Sequence, residues 1–128
     1  MILNLTQHPA TAEQKAAGVV DMAPVDREML GCVLTFADIP TAQETWSKAM
    51  GLLTMAMREF NSLGVPVGER TALIGGALWL MEPLAIALRD CDIKPVFAFS
   101  QRESAEETRA DGSVVKTNVF RHVGFVEA

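Results

Sequence analysis

Between Thr71 and Ser100 the chain reads TALIGGALWLMEPLAIALRDCDIKPVFAFS. This is a short apolar run, a pair of glycines, an almost wholly apolar helical stretch and a second short apolar run. The runs Thr71 to Ile74 and Lys94 to Phe99 have the composition of strands. The roughly twenty residues between them suffice for a helical crossover between parallel strands. Neither run alternates cleanly between apolar and polar residues, a pattern that suits a sheet covered on both faces. Such a unit belongs near the middle of an α/β sheet.

At 128 residues the chain is long enough for one core and too short for two, so residues 1–128 are read as a single domain. No apolar run reaches the roughly 18 residues that a membrane span requires, and no membrane partner is expected. The longest candidate, around Leu73 to Leu88, is interrupted by Gly75, Gly76, Glu82 and Pro83. The start of the chain lacks the pattern of a signal peptide. Cys32 and Cys91 are not in a metal-ligand spacing, which predicts a reduced, cytoplasmic protein with two buried thiols. A net charge of −5 argues against long nucleic acid as a partner but allows a small anionic ligand in a favourable pocket.

Along the chain, Ile2 to Leu5 reads as a first strand, ending at Thr6-Gln7-His8-Pro9. Thr11 to Gln14 has the spacing of a capping box, so a helix starts there and stops at Gly18. Val19-Val20 suits a second strand, Pro24 to Leu30 a short helix or turn, and Cys32 to Phe36 a third strand. Thr41 to Glu44 repeats the capping pattern. The long helix that follows carries Trp46, Ala49, Met50, Leu53, Met57, Phe60 and Leu63 as its predicted core stripe. The helix after Gly76 is apolar on nearly every side and must be buried on more than one face. This suggests cover from a second copy at Trp79 or Met81. Pro83 is cheap only in a first turn, so that helix is expected to begin near Leu80. Glu and Ala in Arg102 to Arg109 would also suit a helix, but the tail is read as an extended ribbon turning at Asp111-Gly112, with Val119 to Val126 as a further strand.

Three polar clusters follow the ends of predicted strands: Thr6-Gln7-His8, Gly75-Gly76 and Ser100-Gln101-Arg102. Ligands of open α/β sheets sit beyond the carboxyl ends of the strands. Gly75 and Gly76 let backbone amides approach an anion at a helix N-terminus, although a tight turn alone also needs glycine. His8 is the candidate general acid or base, set against a plain turn role before proline. His122, in an alternating strand pattern, reads as structural. Arg102 and Lys116 are expected to face each other across the ribbon and contact phosphate, or else to pair with Glu103, Glu106 or Glu107. With two histidines and two cysteines, all far apart in sequence, no metal site is expected, and no cofactor is expected either.

The segment PVFAFSQRESAEETRADGSVVKTNVFRHVGFVEA, from Pro95 to Ala128, resembles the C-terminal region of small CRISPR-associated proteins with a Rossmann-like CARF domain. The matching features are a strand ending in Ser-x-Arg, the Asp111-Gly112 turn, Lys116 and Phe120-x-His122-x-x-Phe125. Leu73-Ile74-Gly75-Gly76 ahead of a helix also sits where that family has it. The resemblance implies a homodimer that binds a cyclic oligoadenylate in a shared groove, in an antiviral setting. Members proposed as ring nucleases cleave it without metal, through attack of a ribose 2′-hydroxyl. The expectation is therefore an α/β, three-layer, Rossmann-like fold with a mainly parallel sheet and an antiparallel C-terminal ribbon. The ligand, a cyclic oligoadenylate or another small nucleotide, would be held by Thr6, Gln7, Gly75, Gly76, Ser100, Arg102 and Lys116, with His8 as the catalytic candidate. The rival readings are a nucleotide sensor without turnover and an assembly protein without ligand.

Overall fold

A computed structural model describes residues 1–128. Its elements in chain order are β1 (Ile2–Asn4), α1 (Ala12–Ala16), β2 (Val19–Val20), α2 (Pro24–Leu34), α3 (Ala42–Ser62), β3 (Arg70–Leu73), α4 (Leu78–Asp90), β4 (Ile93–Thr108) and β5 (Val114–Glu127). The strands form one sheet in the order β2-β1-β3-β4-β5, parallel throughout except for the antiparallel pair β4–β5. The chain is thus a mixed α/β protein with a mostly parallel sheet and an antiparallel C-terminal ribbon. The crossover expected between the two strands of the central unit is present: β3 and β4 pair directly, with α4 between them in sequence.

Side-chain alternation divides the core between the two faces of the sheet. Leu3, Leu5, Ala72, Ile74 and Ile93 point one way and join a cluster of 20 buried residues with α2, α3 and α4. Leu73 and Val96 point the other way, into a cluster of four with Ala10 and Val19. Helix α1, beside that smaller cluster, has no buried residue. Right-handed crossovers account for the inequality. From β1 the chain steps to β2 on one side and later returns to β3 and β4 on the other, which sends α1 and α4 to opposite faces.

Both capping signals are realised. The Thr11 hydroxyl accepts from the Gln14 amide while the Gln14 side chain accepts from the Thr11 amide, and Thr41 caps α3 through Glu44. Four expectations are corrected. Cys32 to Phe36 is not a strand, because α2 runs on to Leu34 and buries Leu30 and Leu34 on one helical face. Cys32 is exposed and Cys91 half-buried, so the thiols are not both interior. Helix α4 starts at Leu78 and keeps Pro83 inside it, its ring packed in the core-facing side. Met81 is buried in the core, leaving Leu78 and Trp79 exposed on that helix.

The stripe on α3 is also turned from its expected position. Thr45, Ala49, Leu52, Leu53, Met55, Ala56 and Phe60 are buried, whereas Trp46, Met50 and Leu63 are largely exposed. In the tail, β4 and β5 pair continuously from Val96 with Glu127 to Thr108 with Val114, with one irregularity at Phe99/Ser100. No residue from Ser100 to His122 is buried, so the outer half of the ribbon is an arm that projects past the sheet. No helix is long and apolar enough to cross a membrane.

Candidate functional site

The sheet order reverses between β1 and β3, whose connections leave in opposite directions. Such a switch point opens a crevice beyond the carboxyl ends of the strands. A cavity of about 440 Å³ lies there, lined by Thr6, Gln7, His8 and Pro9 after β1, Thr11 and Gln14 of α1, Ile74, Gly75 and Gly76 after β3, and Phe97 and Ala98 of β4. The sequence clusters Thr6-Gln7-His8 and Gly75-Gly76 are therefore brought together, because parallel strands deliver their ends to one edge.

The two glycines differ. A Cβ at Gly75 would stand 3.4 Å from Thr6 Cγ2, an ordinary contact, so this position is open toward the cavity. Gly76 has φ +141°, a conformation that other residues adopt only with strain, and its Cβ side faces Met81 and Leu34. Helix α4 follows at once, with Ala77 as an N-cap that offers no side-chain acceptor. The Leu80 amide already donates to the Ala77 carbonyl at 3.0 Å, so the amides of Leu78 and Trp79 are the ones without a backbone acceptor.

The loop after β1 is held by a polar network that the sequence reading did not single out. Asn4, 1% exposed, donates from Nδ2 to the His8 carbonyl at 2.9 Å and to Asp21 Oδ1 at 2.7 Å. Its Oδ1 accepts from the Thr6 amide at 2.9 Å and the Thr6 hydroxyl at 2.7 Å. Asp21 also accepts from the Ala10 amide and from Arg27, and Arg27 donates to the Gln7 carbonyl. The signal for this was the single amide in the run Ile2-Leu3-Asn4-Leu5. A polar residue at a core-facing strand position has to be fully paired.

Partial burial raises the Asp21 pKa, but the Asn4 and Ala10 hydrogen bonds and the Arg27 charge outweigh it and hold the carboxyl below its ordinary range. A depressed carboxylate adds stability that is present above the unfolded-state pKa and is lost as pH falls through the folded one. Asp21→Asn should therefore lower the urea midpoint at about pH 7. The gap to the parent protein should close as the pH is taken below the usual carboxylate value of about 3.9. A gap that stays constant with pH would mean that the carboxylate charge contributes nothing.

The remaining candidates sit apart from this cavity. Ser100, Arg102 and Lys116 belong to the projecting arm, and none of them lines it. Arg102 lies opposite Phe120, its guanidinium 5.5 Å from that ring, and Lys116 lies opposite Glu106. The expected cross-ribbon meeting of Arg102 with Lys116 does not occur. The register leaves them on one face but four residues apart. His122 packs on Phe125 with ring centroids 4.8 Å apart, and its amide donates to Glu13, consistent with a structural role. The His8 imidazole makes no hydrogen bond; only its backbone carbonyl is engaged. No group of three or more His, Cys, Asp or Glu side chains is placed to hold a metal ion.

Neither the curated proteins nor the solved structures contain a match to this chain. The model of the family described as Uncharacterized protein MJ1673 matches residues 1–126, nearly the whole of the fold and all of the strand-end cavity, and the chain belongs to that family.

Proposed function

We propose that this protein binds a cyclic oligoadenylate at the strand-end cavity, in a CRISPR-associated, antiviral setting. The observation that carries this reading is the convergence of Thr6, Gln7, Gly75 and Gly76 at the switch point beside the uncapped start of α4. Backbone amides there would hold a phosphate, and the Thr6 and Gln7 side chains would order the ribose and its linkage. The fold is read as an abbreviated three-layer Rossmann-like arrangement, in which α1 and the loop before it stand for the second helical layer. The cavity lining contains no Lys or Arg. Charge compensation would come from Arg102 and Lys116 on an arm, with two copies of the chain forming a shared groove.

Cleavage, where it occurs, would form a bond from a ribose 2′-oxygen to the neighbouring phosphorus while the bond to the 5′-oxygen breaks. The products are a 2′,3′-cyclic phosphate and a 5′-hydroxyl. His8 is the one titratable side chain lining the cavity, and so the one that could take the 2′ proton or supply the leaving oxygen. A second reading, sensing without turnover, is favoured by the unengaged His8 imidazole, since no neighbour fixes its orientation or tautomer.

Calorimetry against cyclic tri-, tetra- and hexa-adenylate tests the proposal, with chromatography of the mixtures to separate cleavage from sensing. Gly75→Ala keeps an allowed backbone and places a methyl toward Thr6, so the protein should melt as before while its affinity falls about tenfold or more. Arg102→Ala should cost about 1.5–3 kcal/mol of binding, the range for a charged hydrogen bond. No heat and no thermal shift with any of the three ligands, from folded protein, would overturn the reading.

A further inference from the structure

Pairing along the ribbon slips once, where Phe99 lies opposite Gly124 and Ser100 opposite His122, so that Val123 has no partner on β4. An extra residue of this kind is a β-bulge, which bends its strand and sharpens the local twist. The arm begins there. It has no buried residue, and a two-stranded ribbon without cover is only marginally stable in water. Outside the ribbon's own ladder and turn, one hydrogen bond ties residues 100–122 to the rest of the molecule: the His122 amide donates to Glu13 of α1 at 2.9 Å.

The same residue holds the one buried side-chain nitrogen or oxygen of the protein that has no hydrogen-bond partner, His122 Nδ1. A neutral imidazole tolerates this by keeping its proton on Nε2 and leaving Nδ1 as an unused acceptor. The charged ring carries a proton on both nitrogens, and the one on Nδ1 would be a buried donor with nothing to receive it. The surrounding groups do not remove that conflict. From α1, Glu13 accepts from the backbone amide and forms no ion pair with the ring. On β4, Ser100 directly opposite is uncharged, and Arg102, one step along the same face, repels an imidazolium. On β5, Arg121 lies on the other face, paired with Glu103, and Phe125 offers only its ring. We propose that His122 is a pH-sensitive latch: neutral, it seats the base of the arm on α1, and charged, it leaves that seat and lets the arm swing at the bulge. Because the arm carries Arg102 and Lys116, the latch sets where two cations stand relative to the sheet edge. The proposal is independent of what the strand-end cavity binds.

Histidine changes charge between about pH 5 and about pH 8, so backbone NMR relaxation across that range tests the latch. Near the upper limit the order parameters of residues 100–121 should match those of β1 and β3, at about 0.85. Near the lower limit they should fall toward about 0.6 while β1 and β3 keep theirs. The fall should follow the ring resonances of His122, and the His122 amide, released from Glu13, should exchange about tenfold faster relative to its intrinsic rate. His122→Phe fills the same seat with a ring that cannot be charged, so its arm should stay docked throughout, with circular dichroism to confirm the fold. Order parameters in the parent protein that do not change with pH would overturn the latch. An equal pH response in His122→Phe, or a loss that β1 and β3 share, would overturn it too.

Discussion

Asn4→Leu is expected to lower the melting temperature by about 10 °C. The side chain is buried and makes four hydrogen bonds, so leucine fits the volume while stranding the Thr6 amide and removing one of the three hydrogen bonds that Asp21 Oδ1 accepts. Unpaired buried groups cost about 1–3 kcal/mol each, and a net loss of about 3 kcal/mol is expected after local relaxation. At about 2.1 cal/mol/K of unfolding entropy per residue, this corresponds to the stated shift for a chain of this length. Thermal denaturation by circular dichroism measures it. A drop under about 3 °C would show that the network is solvated in practice and that the loop after β1 is not fixed by it. Because that loop carries Thr6, Gln7 and His8, faster amide exchange from residues 6 to 10 should accompany the loss.

A larger loss, about 4 kcal/mol or roughly 15 °C, is expected for Phe60→Ala. Phe60 is fully buried near the end of α3, and its ring also lies 5.5 Å beneath the Arg70 guanidinium. Arg70 is itself nearly buried and is held by the Val65 carbonyl and Asn61 Oδ1. Truncating Phe60 both opens a cavity and withdraws the aromatic face under that cation. Trp46→Ala on the same helix should cost less, about 1–2 kcal/mol, because Trp46 remains 44% exposed. Equal losses at the two positions would mean that α3 presents a different face to the sheet.

The central unit was legible because glycine pairs and short apolar runs leave few other solutions. Thr71 to Ile74, Gly75-Gly76 and Lys94 to Phe99 fall where that pattern put them. The helix caps were legible for a local reason: Thr11 and Thr41 satisfy amides within their own first turn, the first as a full capping box. Cys32 to Phe36 misled because four or five apolar residues suit a strand and a helix end equally well. Only packing of Leu30 and Leu34 decides between them. On α3 the periodicity was correct and Ala49, Leu53 and Phe60 are buried as expected, but the stripe is rotated away from Trp46, Met50 and Leu63 toward Thr45, Leu52 and Ala56. Met and Trp count as core by composition, while the small Thr45 and Ala56 are among the residues that take the buried face. The strand-end site was half legible. Thr6, Gln7, His8, Gly75 and Gly76 converge because β1 and β3 are parallel neighbours. Arg102 is carried away because β4 continues as a ribbon well past its last parallel partner.

That ribbon gives the sheet two unlike margins. One is β2, two residues long and too short to template a further strand. The other is β5, fourteen residues whose outer row of amides and carbonyls has no neighbour in the sheet. In the body of the sheet, strand addition can therefore proceed from the β5 side only, while along the arm β4 beyond its parallel partner offers an edge of its own. If two molecules join through β5, each consumes the other's available margin, and the continuous sheet ends at both extremes in a β2 that accepts nothing more. Pairing of β5 with β5 thus closes on itself at two molecules.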